Sequence, residues 1–162
     1  MKILIFTEGT IIMHKSGIVP NTGKVDWNKF AKKYPSIHEY GSYVPIKNAV
    51  KKLKKWEEGR AEILYLTSRT KSEEIQQIKN VLKRHNFPKG ELLFVKGSEK
   101  YKDVIERVRP DVFIDDNCES IGGNDIKEQI SQKLNIKIII VKEFEGIDDL
   151  PDNPSKLFEV KT

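Results

Sequence analysis

Five short apolar runs punctuate the chain: Lys2–Phe6, Ile63–Leu66, Leu92–Val95, Val112–Ile114 and Ile136–Val141. Each is aliphatic or β-branched and bounded by polar residues. The first and last are apolar almost throughout, the pattern of parallel strands buried on both faces. Between the runs the apolar period changes from two to between three and four. Ile46, Ala49, Val50, Leu53 and Trp56 form one stripe, with Lys47, Lys51, Lys52, Lys54 and Lys55 on the opposite, solvated face. Ile75, Ile78, Val81 and Leu82 form a second stripe after Ser72, where Glu73 and Glu74 favour a helix N-terminus. A third helix is predicted over Lys100–Val108, stopped by Pro110, and a fourth over Asp125–Leu134.

Strands alternating with helices of this length predict an α/β protein: a three-layer, doubly wound, parallel five-stranded sheet of Rossmann type. Residues 11–43 interrupt the alternation with glycines, Pro20, Pro35 and one short helical stretch at Asp26–Tyr34. They read as a small cap-like insertion between the first strand and the first core helix. Residues 146–162, with Pro151 and Pro154, read as an irregular tail laid over the surface.

Composition sets bounds on this picture. With 162 residues, 38% of them hydrophobic and 33% charged, the chain fills one core, so a single domain over residues 1–162 is expected. No apolar stretch reaches the roughly 18–20 residues of a membrane span, and MKILIF runs directly into polar TEGT, so a cytoplasmic protein without a membrane partner is expected. Lys and Arg number 29 against 24 acids, and the net +5 is spread along the chain among acids. That diffuse excess, and a lysine face at residues 47–55 without interleaved aromatics, argue against nucleic acid as the partner. The lone Cys118 excludes an internal disulfide, and flanking carboxylates disfavour its thiolate. His14, His38 and His85 lack metal-ligand spacing. Trp27, Phe30 and Tyr34 suit a cap core and a dimer contact equally.

In doubly wound sheets ligands bind beyond the carboxyl ends of the strands. Here those ends are polar: Thr7-Glu8-Gly9-Thr10 after the first, Thr67-Ser68-Arg69 after the second and Asp115-Asp116-Asn117 after the fourth, with Lys96, Lys100 and Lys102 following the third. Paired acids facing another acid on a neighbouring strand make an oxygen-ligand set for Mg²⁺, here Glu8, Asp115 and Asp116. Hydroxyls and a lysine beside them suit phosphoryl oxygens. Plainer roles exist for each. Asp and Asn favour turns, Thr67 and Ser68 can cap the following helix, Arg69 can clamp an anion or brace a loop, and Lys100 and Lys102 can be ordinary surface residues. Gly122-Gly123 fits a turn.

In this order the motifs resemble the haloacid dehalogenase superfamily of phosphohydrolases. That family has a first strand ending in Asp-x-Asp-Gly-Thr, a second ending in Thr or Ser, a lysine before the fourth strand and an acid pair after it. Phe6-Thr7-Glu8-Gly9-Thr10, Leu66-Thr67, Lys102 or Lys100, and Ile114-Asp115-Asp116 occupy those places over residues 1–141. The Trp56 helix followed by Leu66-Thr67-Ser68-Arg69 is most similar to deoxyribonucleotidase-type members, and FTEGTI, DDNCESIGG and KEFEGIDDLP to an uncharacterised branch. The resemblance implies Mg²⁺, a small phosphorylated molecule or phosphate as ligand, phosphate contacts from Thr7, Gly9, Thr10, Thr67, Ser68, Arg69 and Lys100, and catalytic roles for Glu8 and Lys102.

The first motif departs from the family. Aligning Gly9-Thr10 puts Phe6 where the nucleophilic aspartate belongs, and a phenyl ring can neither attack phosphorus nor ligate a metal. Glu8, one methylene longer than the expected aspartate, displaces its carboxyl by about an ångström, enough to cost on the order of a hundredfold in rate. Two readings follow. One is a phosphate-binding and Mg²⁺-binding domain that has lost aspartyl-nucleophile chemistry. The other is a Mg²⁺-dependent phosphohydrolase, acting on a phosphomonoester or nucleotide, in which an activated water replaces the nucleophile.

Overall fold

A computed structural model describes residues 1–15, 29, 32–118, 126–130 and 134–161. The five predicted strands form one parallel sheet. In chain order they are β1 (Lys2–Phe6), β4 (Glu62–Leu66), β5 (Leu92–Leu93), β6 (Val112–Asp115) and β7 (Lys137–Ile140), in the spatial order β5-β4-β1-β6-β7. Its centre is β1, which pairs in register with β4 from Lys2↔Glu62 to Phe6↔Leu66 and with β6 from Ile3↔Val112 to Ile5↔Ile114. Between the two crossover halves the chain runs outward from β1 in both directions, so the ends of β1, β4 and β6 converge on the switch point where such sheets bind ligands.

Strand alternation divides the interior into two cores. Ile3 and Ile5 of β1 face one side, packing with Leu53 and Trp56 of α1 (Ala49–Glu58) and with Ile75, Ile78 and Val81 of α2 (Ser72–Arg84). Leu4 and Phe6 face the other, with Val104 and Ile105 of α3 (Tyr101–Val108) and Ile126 of α4 (Ile126–Gln129). The helical stripes read from the sequence are thus the buried faces. The fourth helix falls inside its predicted range, although Asp125 and residues 131–133 lie outside the described residues. Helix α3 begins where the Lys100 N–H donates to the Asp103 carboxylate at 2.8 Å and ends at Arg109, in the left-handed region before Pro110.

The insertion opens and closes with a small antiparallel pair, β2 (Ile12–Met13) against β3 (Val44–Pro45). Two 3-10 turns, Pro35–His38 and Tyr40–Ser42, precede β3 and bury Ile37, Tyr40 and Tyr43. Arg84 of α2 donates to the Gly41 carbonyl at 2.8 Å, fastening this segment to the main body. Most of the helical stretch expected at Asp26–Tyr34, with Trp27 and Phe30, lies outside the described residues, as do Gly122 and Gly123.

The tail is more than a surface strap. Ile147, Leu150 and Leu157 belong to the larger core, and a 3-10 helix spans Pro154–Glu159, its Asn153 side chain accepting from the Ser155 N–H at 3.0 Å. Trp56 Nε1 donates to the Pro151 carbonyl at 2.9 Å. Lys52, expected on the solvated face of its helix, is instead buried. Its ammonium donates to the Leu150 carbonyl at 2.5 Å and to Asp152 at 2.7 Å, while Lys55 holds the other oxygen of that carboxylate. The reason is the tail itself, which packs over Lys52 and supplies its acceptors. Among the described residues no helix is long and apolar enough to cross a membrane.

Candidate functional site

The polar ends of β1, β4 and β6 meet, and the chain folds tightly to make this possible. After Phe6 the Thr7 N–H donates to the Leu66 carbonyl at 2.9 Å, prolonging the β1–β4 ladder by one bond. Gly9 then turns the chain back at a φ of +87°, and its N–H donates to the Ile12 carbonyl at 2.8 Å. A Cβ at Gly9 would run into the Asp116 carboxylate, so both the backbone sign and the close approach require glycine.

Glu8 sits at the centre of a polar cluster. Thr67 donates its hydroxyl to Glu8 Oε1 at 2.6 Å, Thr7 donates to Oε2, and Arg69 Nε approaches Oε1 to 3.4 Å. Arg69 also donates to the Tyr40 hydroxyl and to Ser68 Oγ, the latter at 2.9 Å, and its guanidinium lies 5.0 Å from the Tyr40 ring centre. These contacts brace the end of β4 against the insertion while leaving the Arg69 guanidinium partly exposed. Thr67 and Thr7 are wholly buried, so the hydroxyls assigned to phosphate serve Glu8 instead. Thr67 Oγ1 additionally accepts from the Arg69 N–H at 3.1 Å, a turn contact rather than a cap on α2.

The acid pair lies one strand away. Thr10 donates to Asp116 Oδ1 at 3.2 Å, and the Asp116 N–H is held by Asp115 Oδ1 at 2.9 Å. Asp116 Oδ2 is buried and accepts no hydrogen bond among the described residues. Burial first, then the charges of Asp115 and Glu143, push the Asp116 carboxyl up to about 9, so it carries its proton at neutral pH. The same causes raise the Cys118 thiol: burial leads, with Asp116 and Asp115 adding to it. The neighbouring carboxylates foreseen in the sequence thus act second to desolvation.

The Mg²⁺ donor set expected from Glu8, Asp115 and Asp116 is not assembled. Glu8 directs both oxygens toward Thr7, Thr67 and Arg69, and among the described residues no three His, Cys, Asp or Glu side chains come together so as to hold a metal. Neither Lys100 nor Lys102 lines the cavity beside Glu8 and Arg69. Lys100 is an exposed residue at the start of α3, and the side chain that α3 turns toward the acids is Tyr101. Its hydroxyl is buried without a hydrogen-bond partner among the described residues, and burial followed by the charge of Asp115 raises the phenol well above its ordinary range.

Phe6, which the motif resemblance aligns with a nucleophile, is 2% exposed and packs its ring edge-on to Tyr101 at 5.8 Å between centres. One edge of it still forms part of a cavity of about 80 Å³ bounded by Glu8, Arg69, Tyr40, Tyr43 and Cys118. Three further wall residues, His14, Glu143 and Phe144, were not singled out as site residues from the sequence. Phe144 is carried there by the turn after β7, where its N–H donates to the Gly9 carbonyl at 2.8 Å, and its ring lies 6.2 Å from that of His14. Applying the strand-end argument to the last strand, whose run closes at Val141, points to Glu143 and Phe144. His14 carries no such signal.

No family model matches the chain, and no curated protein does. Solved structures do. A chain of the structure titled "Structure of Pnkp1/Rnl/Hen1 complex" superposes with a TM-score of 0.56 at 13% identity, over 88% of this chain and 45% of that one. This protein therefore spans less than half the length of that match. The class C acid phosphatase from Bacillus anthracis, with tungstate bound, superposes with a TM-score of 0.56 at 16% identity, over 99% of this chain and 79% of that one. At such identities the likeness is one of architecture: a five-stranded parallel sheet with helices on both sides, an α/β Rossmann-like fold.

Proposed function

We propose that the protein is a non-catalytic member of this fold class, a domain that admits phosphate or a small phosphorylated molecule at the ends of β1, β4 and β6 without the aspartyl-phosphate chemistry. The observation that carries the reading is Phe6: a phenyl ring, 2% exposed and packed against Tyr101, stands where phosphorus would have to be attacked. Glu8 supports it. A general base needs a free carboxylate lone pair aimed at water, whereas both Glu8 oxygens are engaged by threonine hydroxyls and one is also paired with Arg69. For an anion the wall offers the partly exposed Arg69 guanidinium and the exposed Ser68 hydroxyl. The rings of Tyr40, Tyr43, His14 and Phe144 suit an apolar or planar group attached to it.

Two measurements on the same preparations test this. Turnover of a phosphomonoester panel, with and without Mg²⁺, is expected to be at background for the wild type. Thermal unfolding with inorganic phosphate or tungstate is expected to show an upward shift that Arg69→Ala abolishes. Wild-type turnover that needs Mg²⁺ would overturn the reading in favour of a hydrolase using an activated water. Absence of both turnover and any anion-induced shift would overturn the anion pocket itself. A Phe6→Asp variant, checked for folding by circular dichroism, completes the series, and a gain of turnover there is the expected mark of a pocket whose nucleophile was lost.

A further inference from the structure

A second concavity lies along the β5 edge of the sheet. It is a groove of about 970 Å³, large against the typical 300–1,000 Å³ of a ligand site, and its walls are basic. Lys54 comes from α1, Lys79 and Lys83 from successive turns of α2, Lys89 from the α2–β5 connection and Lys96 from the segment after β5. All five side chains are exposed, and none forms an ion pair among the described residues. Outside the groove, Lys47, Lys52, Lys55, Lys142 and Arg107 each hold a carboxylate. Only Glu57 and Glu91 oppose the groove lysines, leaving a local excess of three positive charges converging from four separate segments.

We infer that this groove binds single-stranded nucleic acid through its phosphate backbone. Lysines act as compact point charges that neutralise phosphates without reading sequence, and a concave basic wall concentrates a flexible polyanion better than a flat one. Phe94, partly buried in the same wall with the Lys96 ammonium 5.4 Å from its ring centre, supplies one aromatic surface of the kind on which bases stack. An acidic peptide fits less well. A peptide that docks at a sheet edge gains most of its affinity by adding a strand, and β5 offers only the two residues Leu92 and Leu93 to pair with. The lysine face at residues 47–55, judged alone, lacked aromatics. The fold places Lys54 beside lysines and a phenylalanine from other elements that no local window contains.

The test is fluorescence anisotropy with labelled dT15 and rU15 oligonucleotides across a salt series, with poly-glutamate as the competing probe. Wild-type binding is expected to weaken with salt, the logarithm of the affinity falling with a slope of about −3 against log salt for four to five neutralised phosphates. Lys79→Glu/Lys83→Glu/Lys89→Glu is expected to weaken binding at least tenfold and to flatten the slope. The charge-matched control Lys32→Glu/Lys51→Glu/Lys71→Glu, three exposed lysines outside the groove, is expected to retain binding within about threefold. Circular dichroism verifies that both triple variants fold. Absence of oligonucleotide binding, equal loss in the two variants, or tighter binding of poly-glutamate than of either oligonucleotide would each overturn the proposal.

Discussion

A proton on Asp116 is the most consequential single-residue feature of the acid cluster. Its carboxyl is raised from an ordinary value near 3.8 to about 9 by burial and by Asp115 and Glu143. The folded chain therefore holds a proton there that the unfolded chain releases, and linkage gives the sign: stability is highest below pH 4 for this group and falls as pH rises toward 9. Asp116→Asn keeps an acceptor for Thr10 but removes the titration. The wild-type melting temperature is expected to fall more steeply than that of the variant between pH 5 and 8.5. Parallel profiles in differential scanning calorimetry would count against a buried, protonated Asp116. The sequence marked Asp115, Asp116, Glu8, Thr67 and Arg69 because strand ends are where such sheets place ligands, and those residues do converge. It did not show that Glu8 turns to Arg69 rather than to the acids. That choice depends on Tyr40, 29 residues away along the chain, which fixes the guanidinium. Nor did it show that α3 brings the Tyr101 ring edge-on against Phe6.

At the level of elements, periodicity read the chain well wherever an element buries one continuous stripe or run. The stripes of α1 and α2 and the cores of β1, β4, β6 and β7 are of this kind. Strand β5 is shorter than its apolar run, because Phe94 and Val95 lie beyond the reach of the β4 ladder that ends at Leu66↔Leu93. The β2–β3 pair left no local trace, since two-residue strands some thirty residues apart have no period to detect. The tail shows the same limit, its irregular backbone giving no period while three of its side chains enter the core. It carries an internal comparison: Leu157 is fully buried and Phe158 is 50% exposed. Leu157→Ala is expected to cost about 2–5 kcal/mol, and Phe158→Ala to stay within about 0.5 kcal/mol of wild type. Urea denaturation monitored by circular dichroism distinguishes them, and equal effects would mean that the 3-10 helix is not packed as described.

Taken as a whole, the molecule is a sheet sandwiched between two hydrophobic layers, closed on one side by its own C-terminal segment and clasped by the insertion through Arg69 and Arg84. The two layers lie on opposite faces of the strands, and a domain of this size is expected to unfold as one unit when the sheet gives way. Trp56 lies in one layer, and Cys118 packs against the other beside the site. The fold has thereby placed an intrinsic fluorophore and its single thiol on opposite sides of one barrier. With Trp27 replaced by Phe, indole emission follows the first layer while labelling by a thiol reagent follows the second. Coincident midpoints in urea are the expected result, and separated midpoints would reveal that one side opens before the other. The thiol has a further use on its own: in the native state its desolvation makes labelling slow, so a ligand that enters the adjoining cavity can be detected through the rate at which a colourless reagent turns yellow.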